Sequence, residues 1–335
     1  MEETGLEILA AETGRQHTDA LAAFHAQQGR AEDIAGDIRR IGRLDLLGVG
    51  GSHWVNRMAE PAYRRLGIAA TAHNVSEYMR APLPGAAVRI ATSQSGGSGE
   101  ILAWLDGAPG GPVYGLTMAR DGPLAARVPC LVAEGPPERS YAATRSVMVT
   151  LAQHAAILTA LGGDMEEVER ALAAPGPMPD GARAIDALAA ARSHVFSARG
   201  AMQGLAGSAA LLFMELSRRP VLALEAAQFR HGPFEAADRD TCVLFFRGIG
   251  QEGDNIDGLA RALLDEDIRP VIIDASGEAP VDGAITVPVT PAHGLAAILR
   301  SLPVVQNLAI GATSRMVPDF GRPLRSTKVT SSEAE

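Results

Sequence analysis

At 335 residues the chain is long enough for two domains of roughly 130 to 150 residues each. Hydrophobic residues make up 47% and aromatic residues only 4%, so the interior is built from Ala, Val, Leu and Ile, as in parallel sheets covered by helices rather than in an all-β fold. A net charge of −9 without a basic cluster excludes a nucleic-acid surface. No apolar run reaches the roughly 18 residues of a membrane span. The opening Met1-Glu2-Glu3-Thr4 is acidic where a signal peptide would be basic, and a cytoplasmic protein is expected.

Residues 6–40 carry apolar positions (Leu6, Leu9, Leu21, Phe24, Ile34, Ile38) at helical spacing and read as a lead-in arm over 1–40. From Leu44 the pattern changes to short apolar runs ending in Gly or Ser, each followed by a helical stretch: LLGVGGS, VRIATSQS, PVYGLTM and PCLVAEG. A long helix is predicted from about Ala142 to Leu172. The cluster Ala174-Pro175-Gly176-Pro177-Met178-Pro179-Asp180-Gly181 then breaks the chain. After it the series restarts with HVFSARG, CVLFFRG, PVIIDAS and AITVPV, and a last helix is predicted from about Gly294 to Met316. The expectation is a repeated α/β architecture, with domains over 41–173 and 182–322 and a polar tail over 323–335. Each domain would be a doubly wound parallel sheet in three α/β/α layers, with ligands at the carboxyl ends of its strands.

Two turns in the first half have anion-binding chemistry. Ser93-Gln94-Ser95-Gly96-Gly97-Ser98-Gly99-Glu100 follows a predicted strand and opens a helix. Its glycines admit an anion close to the backbone, the helix start offers free N–H groups, and three hydroxyls add donors. Gly48-Val49-Gly50-Gly51-Ser52 occupies the same kind of junction. Either sequence also serves as an ordinary tight turn. Cys130 and Cys242 both lie in apolar strand-like runs and read as buried thiols. The histidines have no metal-ligand spacing, so neither metal nor cofactor is expected; His53, next to Ser52, is the one placed to touch a ligand. Of thirty basic residues, Lys328 alone is lysine. It is either a leftover surface residue or a position that needs an amine, which can lose its proton and form an imine as Arg cannot.

The Ser-Gln-Ser-Gly-x-Ser run, the Gly-Gly-Ser loop, Glu138-x-Ser140-Tyr141-Ala142-Ala143-Thr144 and Arg230-His231-Gly232-Pro233 together resemble the sugar isomerase (SIS) family over about residues 30 to 330. The likeness is to its tandem members: the isomerase half of glucosamine-6-phosphate synthase, amino-sugar-phosphate deaminases and fructosamine-phosphate deglycases. The resemblance implies a Rossmann-like fold of two SIS domains holding a sugar phosphate between them. Ser93, Gln94, Ser95 and Ser98 would hold the phosphate, Gly50, Gly51 and Ser52 would line the sugar, and Glu138 and Ala143 would border the site.

Aldose–ketose interconversion requires ring opening and a proton shift between neighbouring carbons, tasks suited to a histidine and a carboxylate. Glu215 lies near the end of a small, apolar helical stretch and either reaches solvent or faces a cleft. The resemblance assigns it the proton shuttle, gives His231 ring opening from a neighbouring subunit of a homodimer, and places Lys328 in a tail over the sugar. Ser208 and Leu212 stand where relatives have Glu and Lys, which removes a lysine associated with the synthase reaction. The chain has no cysteine before Cys130, so no glutaminase function is expected. The expected activity is therefore phosphosugar isomerisation through an enediol or enolamine, with deamination or deglycation as variants. The alternative is a sensor that binds a sugar phosphate without turning it over.

Overall fold

The structure, a computed structural model, describes residues 3–330. The chain forms two compact units: residues Ala10–Ala173 with 323–330, and residues 3–9 with Ala174–Arg322.

The first of these contains most of α1 (Gly5–Ala26), α2 (Gln28–Ile41), β1 (Arg43–Gly48), α3 (Gly50–Arg65), β2 (Ala69–Asn74), α4 (Val75–Arg80) and β3 (Val88–Thr92). It continues through α5 (Gly99–Asp106), β4 (Val113–Thr117), β5 (Cys130–Val132), α6 (Arg145–Ala160) and α7 (Glu166–Ala173). All five strands are parallel, in the order β2-β1-β3-β4-β5. Leu44, Leu46 and Leu47 of β1 are fully buried, as a strand covered on both faces requires. One face packs through Leu47 and Ala91 against Val75, Tyr78, Ile101 and Trp104 of α4 and α5. α2 and α3 each pack against α6.

The single helix expected over Ala142–Leu172 is two helices, α6 and α7, because Gly162 and Gly163 interrupt the run. The lead-in arm is likewise two helices that meet at Gln27. β2 has no counterpart among the predicted strands. Its sequence AATAHN is small and polar, and its burial alternates as at a sheet edge.

The other unit contains α8 (Ala182–Ala190), β6 (Ser193–Ala198), α9 (Gly200–Ser217), β7 (Leu222–Glu225), α10 (Ala226–Arg230) and a 3₁₀ turn at Pro233–Ala236. β8 (Thr241–Arg247), a second 3₁₀ turn at Gly250–Glu252, α11 (Ile256–Asp265), β9 (Val271–Asp274), β10 (Ile285–Pro288) and α12 (Gly294–Met316) complete it. Its strands are also all parallel. Their order from the β7 edge, β7-β6-β8-β9-β10, has the same rank order as the first sheet. The repeat expected from the order of elements is therefore a repeat of topology, and both sheets are of the doubly wound parallel kind. β7, like β2 an edge strand, was not among the expected strands. α12 is long and apolar enough by length and composition to cross a membrane, yet its residues from Leu295 to Leu299 are buried, and it packs on α9 and α8 as a core helix.

Each unit encloses a buried cation with its acids. Arg145, at the first turn of α6, is 0% exposed. It donates from Nε to Glu12 at 2.5 Å, from Nη1 to Asp19 at 2.8 Å and from Nη2 to the Pro136 carbonyl at 2.7 Å. Arg247, the last residue of β8, pairs bidentately with Asp274, the last residue of β9, at 2.9 and 2.8 Å, and donates to Asp257 at 2.7 Å. Burial would raise the Asp274 carboxyl, but hydrogen bonds from Arg247 and Ser276 hold it below its usual range.

Truncating one member of a buried pair strands the other, so Arg145→Met should destabilise the chain by about 3–5 kcal/mol in urea denaturation, with partial recovery in the Arg145→Met/Glu12→Leu double variant. Because the folded Asp274 titrates below the unfolded carboxyl at about 3.9, its contribution is present above that value and lost as pH falls below it. Unfolding free energies measured between about pH 3 and pH 6 should therefore decline less steeply with acid in Asp274→Asn than in the parent.

Candidate functional site

In the sheet order of the first unit, β1 and β3 are neighbours whose chains leave in opposite directions. The crevice at their carboxyl ends is where open α/β sheets take ligands. Both turns singled out in the sequence arise there.

β1 ends at Gly48, and Val49, in extended conformation, precedes Gly50 with φ +53° at the start of α3. The Ser52 N–H closes the turn onto the Val49 carbonyl at 3.1 Å. A side chain at Gly48 would put its first carbon 3.0 Å from the His53 nitrogen and 3.1 Å from Asn56 Nδ2, so anything larger than glycine would press on the start of α3. Gly51 lies against Ala143, whose methyl would be 3.3 Å from a β-carbon there, and this brings the expected Gly51 and Ala143 together.

β3 ends at Thr92, and Ser93 is buried directly after it. Ser93 Oγ lies 2.8 Å from Ser98 Oγ and accepts the Ser98 N–H at 3.4 Å; Ser95 Oγ accepts the Gly97 N–H at 3.2 Å. Gly96 takes φ +67° at the apex. The turn is also held from behind, because the Gln94 carbonyl accepts Met118 N–H at 3.0 Å and Thr117 Oγ1–H at 3.2 Å, while the Gly96 carbonyl accepts Leu124 N–H at 3.0 Å. Ser95 and Ser98 remain half-buried at the opening of α5. The result is a preformed concavity of hydroxyls and N–H groups with no Lys or Arg inside the turn.

The third loop is organised by Glu138. This buried carboxylate accepts the Thr144 N–H (3.0 Å), Thr144 Oγ1–H (3.2 Å) and Ser146 N–H (3.0 Å) on Oε1, and Ser146 Oγ–H (2.7 Å) on Oε2. It thereby caps α6 from a distance, an anion at a helix N-terminus. Oε2 also accepts Lys328 Nζ at 2.9 Å. Burial would raise this carboxyl, but the Lys328 charge and the Ser146 hydrogen bonds bring it below its usual range. Around Lys328 the tail adds three contacts: Ser326 Oγ lies 2.5 Å from Tyr141 OH, Val329 packs on Gly97, and the Thr330 carbonyl accepts the Gly99 N–H at 3.1 Å.

Behind the two turns lies a polar network that the sequence did not single out. Asn56 Oδ1 accepts Thr92 Oγ1–H at 2.9 Å and pairs with His154 Nε2 at 3.1 Å, while Tyr63 OH lies 3.0 Å from His154 Nδ1. Complete burial lowers His154 to about 3, so the ring is neutral. The acceptor Asn56 Oδ1 then assigns the proton to Nε2 and leaves Nδ1 to accept from Tyr63. The signal in the sequence is slight: His154 is a polar residue inside the apolar run of α6, while Asn56 lies in α3 among other polar residues. His53 is half-buried, its Nδ1 has no hydrogen-bond partner among the described residues, and burial lowers its pKa.

The remaining expected residues belong to the other unit. On α9, Ser208 and Leu212 are buried and Glu215, one turn further, is half-buried. His231 is exposed just after α10, whose start is capped by Glu225 accepting the Ala227 and Gln228 N–H groups at 2.8 and 3.1 Å. Arg230 lies over the Phe234 ring at 5.2 Å. At the carboxyl ends of β6 and β8, the place corresponding to the serine turn, a carboxyl group is already packed: Glu252 Cγ would be 3.2 Å from a β-carbon at Gly200, and Glu252 Oε2 3.1 Å from one at Gly248.

No curated protein sequence matches this chain. Among solved structures, the C-terminal domain of glucosamine-fructose-6-phosphate aminotransferase from Francisella tularensis superposes with a TM-score of 0.82 at 13% identity, covering 94% of this chain and 98% of that one. Tagatose-6-phosphate ketose/aldose isomerase from Escherichia coli gives 0.78 at 18% identity, covering 95% and 97%. Glucosamine-6-phosphate deaminase from Thermotoga maritima gives 0.67 at 17%, covering 93% and 99%. The chain has the fold of these proteins, and residues 187–308 match the family model of the SIS domain.

Proposed function

We propose that this protein is a phosphosugar isomerase acting on a hexose or amino-hexose phosphate. The carrying observation is the Ser93–Ser98 turn, in which Ser93 and Ser98 stand 2.8 Å apart at the mouth of a helix without a basic side chain in the turn. Such a turn suits the monoester of a sugar phosphate, since its hydroxyls and N–H groups supply hydrogen bonds to the anion. In this reading Ser93, Gln94, Ser95 and Ser98 hold the phosphate, and Gly50, Gly51, Ser52 and Ala143 line the sugar. The similar structures named above include a ketose/aldose isomerase and a deaminase of sugar 6-phosphates, which supports this substrate class.

The chemistry then needs two further groups. His231 donates a proton to the ring oxygen as the ring opens. Glu215 takes the carbon-bound proton and returns it to the neighbouring carbon through an enediol, or through an enolamine where the sugar carries nitrogen. The exposure of His231 in the single chain supports its entry into the site of a second copy, and the reading includes a homodimer. Leu212, buried on the same helix as Glu215, offers no amine to the reacting carbons. This favours isomerisation, or release of an amine already present, over amine addition.

Two outcomes test the reading. Incubated with hexose and hexosamine 6-phosphates in deuterated water, the protein should exchange the carbon-bound proton; Glu215→Gln should slow that exchange by about 10²–10⁴-fold with little change in affinity. Exchange at the parent rate would place the base elsewhere, and binding without exchange in the parent would make the chain a sensor. Ser98→Ala should weaken sugar-phosphate binding by roughly 10- to 100-fold in calorimetry, the worth of a hydrogen bond to a charged group, and leave binding of the unphosphorylated sugar unchanged.

A further inference from the structure

The loops that line the concavity contain one notable juxtaposition. Lys328 is the chain's only lysine, and it reaches a carboxylate that is itself 0% exposed. Four of the five hydrogen bonds to Glu138 come from Thr144 and Ser146, so this side chain is anchored at the start of α6 and cannot follow a moving partner. The lysine is the member brought to it. Its neighbours in the tail are seated on the serine turn, Val329 against Gly97 and the Thr330 carbonyl on the Gly99 N–H. The segment that carries the ammonium therefore lies on a turn that has no cation of its own.

We propose that Glu138 is the positioning residue for Lys328: it holds the sole lysine as an ion-paired cation beside the anion-binding turn, where the amine acts as a fixed positive charge and not as an imine-forming nucleophile. Glu138 then touches no substrate. Its work is done through the amine, and the charge that complements a phosphate monoester comes from the tail instead of the turn. A buried carboxylate on one side favours the charged amine, and imine formation requires the neutral one. The identity of the anion rests on the sugar-phosphate reading; the pairing and its effect on the amine do not.

With one side-chain amine in the chain, acylation of the internal fragment that contains Lys328 reports on that amine, the α-amine lying in another fragment. The test is the rate at which N-hydroxysulfosuccinimide acetate modifies Lys328, followed by mass spectrometry of the fragment containing it, in the native protein, in the N-acetylated peptide 323–330, in Glu138→Gln and in Ser146→Ala. The native protein should react roughly tenfold more slowly than the peptide. Glu138→Gln keeps an oxygen to cap α6 but loses the charge, and should react nearly as fast as the peptide. Ser146→Ala weakens the cap and keeps the pair, so it should stay slow, which a purely structural role for Glu138 would not give. Equal rates in protein and peptide would overturn the proposal, as would a folded Glu138→Gln that reacts at the parent rate. Borohydride reduction in the presence of fructose 6-phosphate should leave the mass of the Lys328 fragment unchanged, and a reduced sugar adduct on it would also overturn the proposal. Should Glu138→Gln fail to fold, the comparison of native protein with peptide decides. No acylation rate depends on turnover, so a failure of the isomerase reading would leave these results intact.

Discussion

Everything at the site depends on where two parallel strands part company. With β1 and β3 adjacent and their following helices on opposite faces, the carboxyl ends of both strands open into one crevice that no connection crosses. The Gly48–Ser52 and Ser93–Ser98 turns meet there because of the strand order, although forty residues of chain separate them. Their composition follows from their different lengths. α3 begins two residues after β1 and requires glycine at Gly50, where the backbone turns sharply, whereas α5 begins seven residues after β3 and its Gly99 N–H takes the Thr330 carbonyl as acceptor.

The loops are held from beneath as well as by their own hydrogen bonds. Thr92 ties β3 to Asn56 of α3, and through His154 and Tyr63 the tie extends to α6, so three elements that carry loops share one buried polar chain. The tie runs through Asn56 Oδ1, since Asn56 Nδ2 is buried without a hydrogen-bond partner among the described residues. Glu138 does the same for the third loop by joining α6 and the tail.

How much of this could be read from the sequence depended on distance along the chain. The serine turn, the glycine loop and the central strands were legible because their signals are local: an apolar run, then Gly and Ser, then helical spacing. β2 and β7 were not, because AATAHN and LALE show little β propensity, whereas β5 and β10, edge strands as well, were legible from their β-branched and apolar runs. The break between α6 and α7 was marked by Gly162-Gly163 but outweighed by helical spacing on either side. Lys328 stood out by composition, whereas its partner lies 190 residues away, a separation no periodicity reports. Glu138 was expected beside the sugar, and the structure shows its carboxylate committed to five donors. His154 was passed over because one polar residue in an apolar helix carries no address for its partner, and Asn56 because α3 offers several polar residues and nothing marks which one is buried.

The two sheets share a rank order but not the contents of their crevices. In one half the space beside the first helix of the repeat is open to hydroxyls and N–H groups; in the other, the Glu252 side chain fills it from the 3₁₀ turn after β8. A duplicated architecture can thus keep one strand order while the chain's own carboxylate side chain occupies the strand ends in one copy and hydroxyl-bearing turns occupy them in the other.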